Sequence, residues 1–301
     1  MKKTMKHLGA FALIMTLALG LIGCGSSQED VKTIRIGHKN FTEQRIVGQL
    51  YAVMVENHSD YETKVTEFGG SQLVLEALKS DEIDLYGDYT GTLYATVLKE
   101  SGETDTEKVY TMIKDHMQAD PYKFEVLGSL GFNNTYTLSV PQEIAEQYNL
   151  ETISDLAAIG PELRLGGFNE FMERPDGLPG VKEVYGVSFK SEKSLDAGIR
   201  YTAIENGDTD VIDAFSTDGK ILQYDLKVLK DDKNFFPPYY IVTLLGGNVS
   251  TEIPEVTAAI NMLEGQISDE EMQQMNFLVD EKGMPERKVA EDFLKEKGLI
   301  E

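Results

Sequence analysis

The sequence predicts an α/β fold in two lobes, and three observations predict it. Strand-like and helix-like stretches alternate along the chain. The part beyond the N-terminal leader, from Cys24 to Glu301, is long enough for two separate cores. One helix–strand unit recurs at a fixed offset of 126 residues.

The elements follow in order. Residues 33–37 read as a first strand, and residues 40–56 as a helix with Asn40 as N-cap and Glu43 three positions on. Residues 62–68 alternate like a second strand, and Gly69-Gly70-Ser71 opens a helix over 72–79. Residues 83–86 form a short strand ahead of a glycine-containing turn. Residues 164–166, 211–212 and 239–245 also read as strands. Three helical patterns close the chain. Residues 254–265 start on a proline, 268–279 on a serine cap, and 285–297 on a proline, the last ending at Gly298.

The echo pairs Ala77-Leu78-Lys79-Ser80, Asp84 and Tyr89-Thr90 with Ala203-Ile204-Glu205-Asn206, Asp210 and Phe215-Ser216. Each copy places an aromatic and a hydroxyl residue just beyond a short strand. In open α/β sheets ligands collect past the carboxyl ends of strands. Two copies therefore imply two related lobes, each presenting an aromatic ring to a shared cleft.

The N-terminus reads as an export signal. Lys2, Lys3 and Lys6 precede an apolar run over 8–22, broken only by Thr16 and too short for a bilayer helix. Leu21-Ile22-Gly23-Cys24 matches a bacterial lipobox, so residues 1–23 read as a lipoprotein signal peptide and Cys24 as the lipidated residue. Residues 24–31 read as a flexible tether. The expected location is the cell membrane, lipid-anchored and facing outside the cytoplasm. Cys24 is the sole cysteine, which excludes a disulfide, a thiolate metal site and a cysteine nucleophile. The four histidines have no i, i+4 pair, so no metalloprotease-type zinc site is expected. No cofactor motif is present. Twenty-eight Lys and Arg stand against 51 Asp and Glu, and loss of the leader's lysines deepens the imbalance. Such a surface argues against nucleic-acid partners.

Several aromatics sit among turn residues: Tyr86 and Tyr89 around Gly87-Asp88, Tyr136 after Asn133-Asn134-Thr135, Phe215 after Asp213-Ala214, and Tyr239-Tyr240 after Pro237-Pro238. They read as loop residues rather than core stripes. Aromatic faces attract cations, at about 0.5–2 kcal/mol per ring. A methylated ammonium suits such a box because it offers no N–H for a carboxylate to satisfy. Lys39 lies between a strand and a helix start, and Arg174 lies in Glu173-Arg174-Pro175-Asp176-Gly177. Both settings suit a carboxylate, with the Thr92 hydroxyl beside them. Together these groups describe a zwitterion site.

These stretches resemble the glycine betaine/carnitine/choline-binding proteins of osmoprotectant ABC importers. The likeness is carried by Gly37-His38-Lys39-Asn40-Phe41-Thr42-Glu43-Gln44, Tyr86-Gly87-Asp88-Tyr89-Thr90-Gly91-Thr92, Gly131-Phe132-Asn133-Asn134-Thr135-Tyr136, Arg174-Pro175-Asp176-Gly177, Phe215-Ser216-Thr217-Asp218-Gly219 and Phe236-Pro237-Pro238-Tyr239. It implies a two-lobed, type II periplasmic-binding-protein-like fold with two hinge crossovers, near 132–136 and 236–240. It assigns 32–134 and 239–301 to lobe I and 135–238 to lobe II. It also implies a monomeric, non-enzymatic binding protein that serves an ABC permease subunit in the membrane. Tyr89, Tyr136 and Tyr239 match aromatic-cage positions; Lys39, Thr92 and Arg174 match positions that hold a ligand carboxylate. Phe215 stands where the family usually has tyrosine, Asp88 where glutamate is common, and Asn134, also a candidate ligand contact, where some members have aspartate. Lys39 and Arg174 together favour a carboxylate-bearing betaine over choline.

Two other ligand readings and one other class are open at this stage. The ligand is ergothioneine, or it is an amino acid whose ammonium meets Asp88. An enzyme on the same shell is disfavoured, because no Ser-His-Asp order, G-x-S-x-G elbow or metal motif is present. The acids Asp210 and Asp213 read as strand-end and cap residues.

Overall fold

A computed structural model describes residues 33–301. The signal, the tether and Cys24 lie outside the described residues.

The first half contains β1 (Thr33–Lys39), α1 (Thr42–His58), β2 (Glu62–Phe68), α2 (Ser71–Lys79) and β3 (Leu85–Tyr89). There follow α3 (Thr90–Thr92), continued by a π-helical turn over Leu93–Leu98, then α4 (Thr106–Gln118) and β4 (Glu125–Asn133). After two residues the chain enters a second sheet. That part runs β5 (Tyr136–Pro141), α5 (Gln142–Tyr148), α6 (Leu156–Ile159), β6 (Arg164–Phe168), α7 (Asn169–Glu173), α8 (Leu178–Tyr185) and β7 (Ser191–Leu195). It finishes with α9 (Ile199–Glu205), β8 (Val211–Phe215), α10 (Lys220–Gln223) and β9 (Leu226–Leu229). A second crossover returns to β10 (Tyr240–Leu245), followed by α11 (Gly247–Glu252), α12 (Pro254–Asn261), α13 (Asp269–Asp280) and α14 (Glu286–Glu296).

The two sheets share one topology. The first has the order β2-β1-β3-β10-β4 and the second β7-β6-β8-β5-β9. In each, three strands run parallel and the last two antiparallel to their neighbours. The sequence echo is the visible part of this repeat. Its β3 and β8 copies keep register, with Ile36 opposite Leu85 in one sheet and Leu165 opposite Val211 in the other. The same ion pair fixes both. Arg35 binds Asp84 through its backbone N–H and guanidinium at 2.5–3.0 Å, and Arg164 binds Asp210 in the same way at 2.6–2.8 Å. Asp210 is therefore an ion-pair partner at the strand start rather than a simple cap.

The α1 helix is buried along most of its length, under α12, α13 and α14. The chain's C-terminal helices thus complete the core around the first sheet. Ser268 caps α13 through a box with Glu271, as its sequence predicts. Asn40 does not cap α1. Phe41 holds the cap position with extended backbone, and the Asn40 side-chain oxygen has no partner among the described residues.

The crossovers run side by side. The Asn134 N–H donates to the Tyr239 carbonyl at 3.1 Å, and the Tyr239 N–H donates to the Asn133 side chain at 2.7 Å. Motion between the two sheets must bend both segments together.

Candidate ligand-binding site

The carboxyl ends of β1, β3, β6 and β8 converge on one tightly closed cavity of about 20 Å³, room for about one water molecule. All eight residues singled out from the sequence line it. Lys39, Tyr89 and Phe215 are the last residues of β1, β3 and β8, and Tyr136 is the first of β5. Thr92 lies in α3, Arg174 follows α7 directly, and Asn134 and Tyr239 belong to the crossovers. Tyr89, Tyr136 and Phe215 are thus strand-end residues rather than loop residues, whereas Tyr239 lies in the loop of the second crossover. Tyr86 is different: it lies mid-strand in a separate apolar cluster, fully buried.

The rings form a continuous wall. Tyr136 is its centre, 5.0 Å from Phe215 and 5.5 Å edge-on from Tyr239, centroid to centroid. Phe41 stacks on Phe215 at 5.5 Å and on Tyr89 at 6.4 Å, and Phe168 meets Phe215 edge-on at 6.4 Å. Phe41 and Phe168 were not anticipated. Both sit at strand–helix junctions, where a lone phenylalanine carries no signal of its own. Tyr239 lies against the backbone at Gly91, where a Cβ would come within 2.6 Å of its ring. Glycine at that position is thus required by close packing.

The charged groups are more committed than their sequence settings suggest. Lys39 Nζ donates to Asp88 at 2.6 Å and lies 5.1 Å over the Tyr89 ring. Asp88 also accepts the Tyr89 N–H at 2.8 Å and the Tyr86 hydroxyl at 3.0 Å. Three of its roughly four acceptor sites are therefore taken by protein donors. Arg174 grips Asp176 with two donors, reaches the Thr92 hydroxyl at 3.2 Å and Glu170 at 3.4 Å, and lies 5.5 Å over the Tyr136 ring. Asp176 also accepts the Tyr239 hydroxyl at 2.6 Å. Lys39 and Arg174 are consequently not free cations awaiting an acid.

Two carboxylates were not singled out for the site from the sequence, where Glu43 read only as a capping partner of Asn40. Glu170 lines the cavity and accepts the Ser71 N–H and hydroxyl at 2.9 and 3.1 Å. Burial pushes its carboxyl up, yet Lys39, Arg174 and the Ser71 bonds hold it below the usual range. Glu43, behind Tyr89, accepts the Tyr89 hydroxyl at 2.6 Å, Asn134 Nδ2 at 2.5 Å, Asn276 Nδ2 at 3.1 Å and the Thr217 hydroxyl. Burial pushes its carboxyl up to about 7, against the pull of those donors. Asp213 lies mid-strand in β8, beneath the buried Arg200, so it is neither a strand-end nor a cap residue.

Among the described residues no helix is long and apolar enough to cross a membrane. Residues 32–296 match the family model of the substrate binding domain of ABC-type glycine betaine transport systems. The chain is 36% identical over 310 residues to the carnitine transport binding protein OpuCC of Listeria monocytogenes, covering 100% of this chain and 99% of that one. It is 34% identical over 289 residues to the ergothioneine transport permease/binding protein EgtU of Helicobacter pylori, covering 95% of this chain and 51% of that one. A crystal structure described as a glycine betaine/carnitine/choline ABC transporter superposes with a TM-score of 0.73 at 34% identity, over 89% of this chain and all of that one. The fold is accordingly the two-lobed, type II periplasmic-binding-protein-like one, and its role is to bind a transporter's substrate rather than to convert it. The chain belongs to the family of substrate-binding domains of ABC-type glycine betaine transport systems.

Proposed function

We propose that this chain is a lipoprotein, anchored through Cys24, that captures a quaternary-ammonium betaine such as glycine betaine or carnitine. The rings of Tyr89, Tyr136, Phe215 and Tyr239 surround the ammonium, and the lobes (32–134 with 239–301, and 135–238) close over it. The permease then receives it. One observation carries this reading. Aromatic rings from both copies of the repeat and from the second crossover line one cavity whose one carboxylate, Glu170, is already engaged by Ser71 and Arg174. A methylated ammonium needs only the π faces that make up most of this lining. Lys39 spends one of its three donors on Asp88, so two remain for a ligand carboxylate, beside Thr92 and Arg174.

Ergothioneine, a betaine with a ring, is the alternative. The Helicobacter relative supports it, as does an adjoining space of about 300 Å³ that shares Phe41 and Phe215 with the ligand cavity. Calorimetry with glycine betaine, carnitine, choline and ergothioneine, repeated on Phe215→Tyr, separates these readings. At least one quaternary-ammonium compound binds, and the tyrosine variant reorders the four. Absence of heat with all of them sinks the ligand assignment.

A further inference from the structure

Glu43 and Glu170 occupy equivalent places in the repeat. Glu43 is the second residue of α1, which follows β1; Glu170 is the second residue of α7, which follows β6. Each is served from the opposite half of the molecule. Glu43 receives the Thr217 hydroxyl from the turn beyond β8. Glu170 receives the N–H and hydroxyl of Ser71 at the start of α2. These bonds require the two sheets to approach as closely as they do here. Glu43 also holds a ring of the cavity wall (Tyr89), the first crossover (Asn134) and the C-terminal helix α13 (Asn276). One buried carboxylate is thus shared among the hinge, the cage and the opposite lobe.

We propose that Glu43 is a positioning residue that couples lobe closure to the placement of Tyr89, with Glu170–Ser71 as its reciprocal latch. Withdrawal of Thr217 removes one of four donors from Glu43 and lets water reach the carboxylate. Tyr89 stays bonded to the other Glu43 oxygen, but the carboxylate that places it is no longer fixed from the opposite lobe, so the cage loosens as the lobes part. In the closed form all four donors are satisfied, and separation leaves the Thr217 hydroxyl and Glu43 Oε2 to be resolvated. The latch is made by protein groups alone, so it sustains a closed population without ligand, which a ligand that prefers the closed form enlarges. The ligand half of this inference rests on the betaine reading above; the closure half does not.

The test uses Thr217→Val, which removes the hydroxyl at nearly constant shape, and Thr217→Ser, which restores it. Spin labels at Glu107→Cys on α4 and Lys193→Cys on β7, in a Cys24→Ser chain, read the distance between the lobes. Ligand-free protein with Thr217 intact shows a closed fraction, Thr217→Val lowers it at least about threefold, and Thr217→Ser recovers it. With glycine betaine and carnitine as probes, koff rises about tenfold in Thr217→Val while kon stays within about twofold. A closed fraction that is missing with Thr217 intact, or unchanged in Thr217→Val, overturns the latch. An unchanged koff overturns its coupling to the cage. If neither probe binds the chain with Thr217 intact, the betaine reading fails and the ligand-free distances alone judge the latch.

Discussion

Tyr136→Leu weakens binding of a quaternary-ammonium ligand about thirtyfold, the loss expected when one desolvated cation–π partner worth about 2 kcal/mol is removed. Tyr136 is the position of choice because its ring touches the most others: Phe171, Phe215, Phe236 and Tyr239 all lie within 6.1 Å, centroid to centroid. Leucine keeps an apolar side chain at the start of β5. The phenol has no hydrogen-bond partner among the described residues, so its loss orphans nothing. A repacking of this kind costs roughly 1–2 kcal/mol of stability, and a thermal melt separates that cost from the binding defect. If the ligand were an amino acid held by carboxylates, the same substitution would leave affinity within a fewfold. Calorimetry on folded Tyr136→Leu therefore decides between the two ligand classes.

The largest effect on stability is expected at Arg200. Its side chain is 1% exposed and pairs with Asp213, which is fully buried, and with Asp218 at 2.9 Å. The guanidinium also lies 5.0 Å from the Phe215 ring, on which one side of the cavity wall depends. Burial pushes the Asp213 carboxyl up even with Arg200 beside it. Arg200→Met leaves that carboxyl accepting the Phe168 backbone N–H at 2.7 Å, with no cation beside it. Breaking one partner out of a buried pair costs about 3–5 kcal/mol, read as the shift in a urea unfolding curve. Adding Asp213→Asn recovers part of the loss, because the orphaned charge is then gone. A loss below about 1 kcal/mol for Arg200→Met would show that the pair is not stabilising the second lobe.

Local patterns carried much of the fold and most of the cavity. The serine cap at Ser268, the alternation over residues 62–68 and the helix–strand echo are short-range signals, and each has its counterpart in the structure. What escaped is physically distinct. Strand β7 is an exposed edge strand of polar residues, Ser191-Glu192-Lys193-Ser194-Leu195, with no buried face to leave a pattern. Gly87 looked like a turn but lies inside β3. A Cβ there would meet the Tyr51 hydroxyl at 2.9 Å, so this glycine admits α1 against the sheet. That misreading moved Tyr89 from a strand end to a loop.

The cavity's polar network was hidden for another reason. Thr217 is 174 positions from Glu43, and Ser71 is 99 from Glu170. No local periodicity reports contacts of that kind. Lys39 and Arg174 were legible as unusual cations, whereas the acids that engage them became visible only once the strand ends met.

The central claim is that the cavity selects an ammonium by its methyl groups. Calorimetric titration with glycine betaine against glycine, and with carnitine against its primary-amine analogue, tests it most directly. Each pair keeps the carboxylate and changes only the N-methylation. The account predicts saturable binding of at least one methylated member and none of its amine counterpart. Equal or tighter binding of the amines, or binding confined to them, would contradict it.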